Sequence, residues 1–151
     1  MPIEIINGLY LGSKHDAFNI DFLNSRNIDI IINTTNEVEF IKTAKIQCIR
    51  VPITDSFEES EKEKHNREYY YQLSQLCKLI DIKLQQNHNI LIHCKHGKHR
   101  STCLVIAYLM YKLQMKLDNV YEILMTKYPL VKFKKHLFGD TLRMFEKDLE
   151  L

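Results

Sequence analysis

The stretch from residue 87 to residue 112 constrains the fold more than any other. Asn87-His88-Asn89 interrupts a helical pattern, and Ile90-Leu91-Ile92 follows as a three-residue apolar run. A polar loop with one glycine, Gly97, leads into a segment that carries Leu104-Val105-Ile106-Ala107-Tyr108-Leu109-Met110. The short run reads as a strand covered on both faces, and the segment from about Ser101 to Lys112 reads as a helix apolar enough to lie in the core. A buried strand that feeds a buried helix through a short loop belongs to an α/β or α+β sandwich around a central sheet.

The rest of the chain agrees with that unit. Ile3–Ile6, Gly8–Leu11, Ile28–Thr34 and Ile46–Ile53 are short, β-branched and suited to strands, with Ser13–Ser25 and Val38–Lys45 between them expected as short helices. Residues 61–86 contain neither Gly nor Pro, and Tyr69, Leu73, Leu76, Ile80 and Leu84 mark one face of a long amphipathic helix. The aromatic run Tyr69-Tyr70-Tyr71 is expected to pack on that helix. Leu117–Tyr128 and Lys135–Leu149 supply two more helices, separated at Pro129. No repeat, low-complexity tract or linker divides the chain, so one domain is expected over residues 1–151.

Composition serves mainly to exclude. A chain of 151 residues, 45% hydrophobic, can bury a core without disulfide or metal staples. No apolar run approaches the roughly 18–20 residues of a membrane span, and MPIEIINGLYLGS lacks the basic and apolar regions of a secretory signal. A cytoplasmic location is expected, with the nucleus as an alternative. The four cysteines, Cys48, Cys77, Cys94 and Cys103, form no CxxC pair and suggest free thiols in a reducing compartment. A net charge of +2 is too small to mark a nucleic-acid partner.

That small charge is unevenly placed. Three of seven histidines, two lysines and an arginine fall within residues 93–100, in His93-Cys94-Lys95-His96-Gly97-Lys98-His99-Arg100. Five residues separate Cys94 from Arg100. Where a strand ends in a cysteine and the chain wraps into a helix amino end, successive backbone N–H groups converge on one spot and make an anion nest. The same donors favour a thiolate, so Cys94 is expected to ionise below the ordinary ~8.5 of a cysteine. Gly97 allows a backbone conformation that a side chain would obstruct. Arg100 offers a planar fork that fits two phosphate oxygens at once.

These residue types define a reaction. Cys94 attacks phosphorus to give a phosphocysteine, while Arg100 and the loop amides hold the equatorial oxygens. One carboxylic acid can protonate the leaving oxygen and then activate water. Asp55 is the candidate because it lies just past an expected strand; Glu58 and Glu59 are weaker candidates on the same loop. Ser101 can hydrogen-bond the sulfur and ease its departure, His93 is expected to position the loop, and Lys95, His96, Lys98 and His99 ring the anion site as substrate contacts. No cofactor and no metal are required.

The sequence HCKHGKHRS matches the HCxxGxxR[S/T] signature of the protein tyrosine phosphatase superfamily, and the chain resembles its dual-specificity phosphatases in particular. Ile6–Ser13 and Ile31–Thr35 look like their early strands, and Val51–Asp55 looks like their general-acid loop. Ser101-Thr102 with Ala107–Met110 resembles the helix after the loop, and Leu142–Leu149 resembles the last helix. The resemblance implies an α/β fold with a central, mostly parallel five-stranded sheet flanked by helices. It implies catalytic roles for Cys94, Arg100 and Asp55 and a phosphoprotein substrate. The loop departs from most members by being cationic throughout. Gly97-Lys98-His99-Arg100 resembles atypical members that act on inositol pyrophosphates, and Lys95 and Lys98 stand where phosphoinositide phosphatases also carry lysines. An inositol polyphosphate is therefore the alternative substrate, and Cys94-x-His96-Gly97 only weakly suggests RNA 5′-phosphatase activity.

Other readings of the same residues are open. Cys94 alone suits a buried structural cysteine, although Arg100, Gly97 and the apolar helix argue against it together. His93, Cys94, His96 and His99 are donors that zinc prefers, but the neighbouring cations repel a metal and no second cluster closes a shell. A phosphate-binding module without turnover is the reading from another class. Cys103 reads as core, with a redox partnership with Cys94 as its functional alternative. Lys132, Lys134 and Lys135 read as a solvated basic face.

Overall fold

The computed structural model describes residues 2–52, 62–96, 100–129, 131, 133 and 135–151, with the side chains of 62–70 and 135–139 left aside. Five strands, β1 (Ile3–Ile6), β2 (Leu9–Gly12), β3 (Ile28–Asn33), β4 (Gln47–Arg50) and β5 (Asn89–His93), form one sheet in the order β1-β2-β5-β3-β4. β1 and β2 are antiparallel, and the other pairs are parallel. The mostly parallel five-stranded sheet is the expected one.

Alternation along the strands explains why they are apolar throughout. Leu9, Leu11, Ile30, Ile32, Ile90 and Ile92 enter one core, whereas Tyr10, Ile31 and Leu91 enter another on the opposite face. A sheet buried on both sides needs apolar residues at every position, not at alternate ones. Ile28 joins the Ile31 side although the two are three residues apart, because the β3–β5 register shifts between Ile28 and Ile30.

The larger core lies under α3 (Lys62–Gln85), α4 (Arg100–Leu113), α5 (Leu117–Lys127) and α6 (Lys135–Asp148). Leu73, Leu76 and Ile80 of α3 are buried as their spacing predicts, but Tyr71 is 68% exposed and does not pack as expected. Every residue of α4 from Ser101 to Met110 is buried, as an all-round apolar helix demands. Tyr108 of α4 donates to Asp81 of α3 at 3.0 Å, so the phenol that this packing buries has its polar partner.

The smaller core is covered by α1 (Lys14–Ala17), α2 (Ile20–Ser25) and the segment 40–46. The expected single helix Ser13–Ser25 is two helices, because the first ends at Phe18 and Asn19 caps the second by accepting from the Phe22 N–H at 3.1 Å. Val38–Lys45, expected as a helix, is irregular. Its first backbone groups are already engaged: Val38 N–H donates to Thr35 Oγ1 at 2.9 Å, and Val38 O accepts from Asn33 at 2.7 Å and Arg50 at 2.8 Å. A helix would need that carbonyl for the amide of residue 42, and local side-chain bonds win the competition.

Two glycines fit the sheet to its surroundings. Gly8 turns β1 into β2 with φ of 88°, which is why β2 begins at Leu9 and not at Gly8. At Gly12 a Cβ would lie 2.7 Å from Asp16 Oδ2. The missing side chain lets that carboxylate accept from the Ser13 N–H at 2.8 Å and cap α1.

The register also fixes where chemistry can occur. Gly12 and Asn33 both lie opposite His93, and Arg50 lies opposite Asn33, so the four parallel strands end in one row. In an open α/β sheet, ligands bind just beyond the carboxyl ends of the strands. Among the described residues, no helix is long and apolar enough to cross a membrane.

Candidate active site

Cys94 is the first residue beyond β5, in the middle of that row, and is 3% exposed. The loop that starts there is held by its carbonyls. Thr34 N–H and Thr34 Oγ1 donate to His93 O at 3.0 and 2.9 Å. His93 Nδ1 lies 3.0 Å from Cys94 O, so that nitrogen carries the proton and donates. Lys14 N–H donates to Lys95 O at 3.3 Å. In a trans peptide the C=O and the following N–H point in opposite directions, and no peptide bond among the described residues is cis. With the carbonyls of Cys94 and Lys95 turned to the scaffold, the N–H groups of Lys95 and His96 turn the other way. That is how an anion nest begins.

The loop's far end returns to the thiol. Arg100 and Ser101 open α4, and the Ser101 hydroxyl donates to Cys94 Sγ at 3.2 Å, with both residues buried. The sulfur therefore sits at the amino end of a 14-residue helix, where the first N–H groups and the helix dipole favour negative charge. Arg100 is largely buried, its side chain 11% exposed, and its Nη1 donates to Glu37 Oε1 at 2.9 Å.

Of the residues singled out from sequence, Cys94, Arg100, Ser101 and His93 come together. Lys95 and His96 are exposed at the loop's start. Gly97, Lys98, His99 and the proposed acid Asp55 lie outside the described residues, as do Glu58, Glu59, Lys132 and Lys134. Cys103 is in the core below the site with Cys77, and burial pushes both thiols well up, which suits inert core thiols more than redox partners. Among the described residues, no group of three or more His, Cys, Asp or Glu side chains could hold a metal ion.

Sequence reasoning missed the loop that follows β3. Asn33, Thr34 and Thr35 are completely buried, Thr34 anchors the His93 carbonyl, and Glu37 reaches Arg100. The available signal was a run of three polar residues directly after an isoleucine-rich strand, too polar to be buried there without a bonding task.

Two ionisable groups are tuned by this packing. Burial works to raise the Glu37 carboxyl, but the Arg100 hydrogen bond, its own backbone and that of Asn36 outweigh it and hold the group below the usual range. His93 is shifted below its ordinary value. Burial is the main cause and nearby Arg50 adds to it, against smaller opposing effects of the Cys94 carbonyl and Asp16.

The shift at His93 has a consequence for stability. A histidine whose value drops on folding stays neutral in the native protein at a pH where the unfolded chain has begun to bind a proton. Stability from this group is complete above the unfolded value of about 6.5 and is lost as pH falls through and below it. Thermal unfolding should therefore show a lower Tm at pH 5.5 than at pH 7.5. His93→Asn, which keeps a donor for Cys94 O but cannot titrate, should flatten that dependence. Equal slopes in the two proteins would show that His93 does not contribute.

Comparison with known proteins agrees with this architecture. The family described as dual specificity phosphatase, catalytic domain, matches residues 9–147. Human dual specificity protein phosphatase 9 is 30% identical over 152 aligned positions that cover 99% of this chain, which spans only 37% of that relative's length. The crystal structure of human DUSP28 superposes with a TM-score of 0.82 at 19% identity, covering 99% of this chain and 95% of the other. The phosphatase-domain protein with leucine-rich repeats from Entamoeba histolytica gives 0.78 at 24% identity, covering 99% and 92%. At such identities the superpositions speak for the fold, while the sequence match over nearly the whole chain speaks for kinship. With Cys94 just past the end of β5 hydrogen-bonded to Ser101 at the start of α4, and a matching catalytic-domain sequence from residue 9 to residue 147, this chain belongs to the dual specificity phosphatase family.

Proposed function

We propose that this chain hydrolyses phosphate monoesters on proteins, at phosphotyrosine and at phosphoserine or phosphothreonine, through a phosphocysteine on Cys94. The observation that carries this reading is the Ser101 Oγ to Cys94 Sγ hydrogen bond at the amino end of α4, directly beside Arg100. Such a position favours a thiolate and a phosphate for the same reason, since both are anions facing the same donors.

In the first step Cys94 Sγ bonds to phosphorus and the bond from phosphorus to the leaving oxygen breaks. The leaving oxygen takes a proton from a carboxylic acid, a role we assign to Asp55. Arg100 and the loop amides hold the equatorial oxygens as charge redistributes. In the second step water attacks phosphorus, the same carboxylate takes its proton, and the P–S bond breaks to release inorganic phosphate. The Ser101 hydroxyl, already 3.2 Å from the sulfur, steadies the departing thiolate.

Substrate class is tested by kcat/KM on phosphotyrosyl and phosphothreonyl peptides beside inositol hexakisphosphate, with wild type and Lys95→Ala compared. The peptides should be the better substrates, and Lys95→Ala should cost them less than about tenfold, as expected for one exposed charge. Preferential turnover of the inositol polyphosphate, lost in Lys95→Ala, would move the function to polyanionic small molecules.

A further inference from the structure

The loop after β3 is built more firmly than a connecting loop needs to be. Asn33 Oδ1 accepts from Thr35 N–H at 3.0 Å and from Thr35 Oγ1 at 2.7 Å, while Asn33 Nδ2 donates to Val38 O at 2.7 Å. Thr35 Oγ1 accepts from Val38 N–H at 2.9 Å. Arg50, at the end of β4, donates to Thr35 O at 2.7 Å and to Val38 O at 2.8 Å, and packs over the Phe40 ring. Two buried polar side chains and one guanidinium thus fix the peptides on both sides of Asn36 and Glu37. Glu37 itself is half exposed, so nothing about core packing requires its carboxylate to lie where it does.

The geometry points to Glu37 as a positioning residue that fixes the orientation of the Arg100 guanidinium for phosphate. This rests on the reading that Arg100 grips the substrate phosphate. A guanidinium has five N–H donors in one rigid plane, and a phosphate held by two of them requires that plane to be set correctly. A long side chain without a fixed partner has rotamer freedom to lose on binding. Glu37 Oε1 accepts from one terminal nitrogen at 2.9 Å, and that bond restrains the rotation of the plane. Ionisation of the carboxyl in the folded protein keeps this bond charge-assisted across the working pH range. The same loop presents Thr34 to the His93 carbonyl, so one rigid segment sets both the nucleophile's strand end and the arginine's plane.

The test measures kcat and KM on an aryl phosphate, together with calorimetric binding of orthovanadate, for wild type, Glu37→Ala, Glu37→Gln and Arg100→Lys. Glu37→Ala should lower kcat/KM about tenfold or more, the scale of a lost hydrogen bond to a charged group. Glu37→Gln, which keeps an acceptor in place, should recover most of the loss. In an Arg100→Lys background Glu37→Ala should cost almost nothing further, because its effect acts through the guanidinium. If Glu37→Ala unfolds the protein, Glu37→Asp, which shortens the reach, should reproduce the loss with an unchanged Tm. Three results would overturn the inference. Glu37→Ala could keep the wild-type rate, or its cost could be the same in the Arg100→Lys background as in the wild type. It could also bind vanadate more tightly than wild type, which would make Glu37 a competitor of substrate. Full activity of Arg100→Lys would instead remove the phosphate-gripping role on which the inference rests.

Discussion

Cys94→Ser should abolish hydrolysis of aryl phosphates and phosphopeptides, with a loss in kcat on the order of 10⁴ or more. A serine hydroxyl is nearly isosteric with the thiol, so the loop and the sheet should be undisturbed. It differs in needing a base to become a nucleophile. Cys94 is buried at 3% exposure, and its contacts with Ser101 and the amino end of α4 are donors suited to an anion already formed. They can stabilise a thiolate, but cannot take the proton from an alcohol that ionises far above neutral pH. Binding should survive where turnover does not. The amides turned inward by the anchored carbonyls of Cys94 and Lys95 are unchanged, and so is Arg100. Calorimetry on Cys94→Ser should therefore show phosphopeptide affinity close to the wild-type value for a non-hydrolysable analogue, with a Tm within a few degrees. A variant that hydrolysed at the wild-type rate would rule out a phosphocysteine route altogether.

What could be foreseen depended on how far apart the cooperating residues lie in the chain. Strand, loop and helix are consecutive, and each signals itself locally: Ile90-Leu91-Ile92 as a doubly covered strand, Cys94 and Arg100 at fixed spacing, and an apolar helix after Ser101. Local rules therefore place His93, Cys94, Arg100 and Ser101 together from the chain alone. Glu37 and Arg100 are 63 positions apart, and Thr34 and His93 are 59 apart. Their meeting is decided by the parallel pairing of β3 with β5, which no local pattern encodes. The same cause misled the reading of Val38–Lys45. Its residues allow a helix, but Asn33, Thr35 and Arg50 claim the Val38 backbone from two neighbouring strands and the loop between them. Tertiary hydrogen bonds outrank propensity where the segment is short and its first turn is already used.

Arg100→Lys should lower kcat about 10²- to 10³-fold, the range seen when one preorganised donor to a developing oxyanion is removed. Charge alone does not explain Arg100, since lysine keeps the charge. What lysine lacks is the fork. Its ammonium is one point with three rotatable donors and cannot present two parallel N–H groups to two oxygens. Glu37 makes the exchange worse. In the wild type a guanidinium nitrogen engages Glu37 at 2.9 Å, and the planar group that carries it has five N–H donors in a fixed fork. A lysine at position 100 that paired with Glu37 would have its single charged centre drawn to a carboxylate that folding keeps ionised. Phosphate would then compete with that carboxylate for the donors of one small ammonium, which has no second edge to present. The loss should fall mainly on kcat, because the fork matters most as charge spreads over the equatorial oxygens in the transition state. Initial rates on an aryl phosphate, with kcat and KM separated, are the measurement. An Arg100→Lys protein that retained more than a tenth of wild-type kcat would mean that position 100 contributes only charge and that the grip on phosphate comes from the loop amides alone.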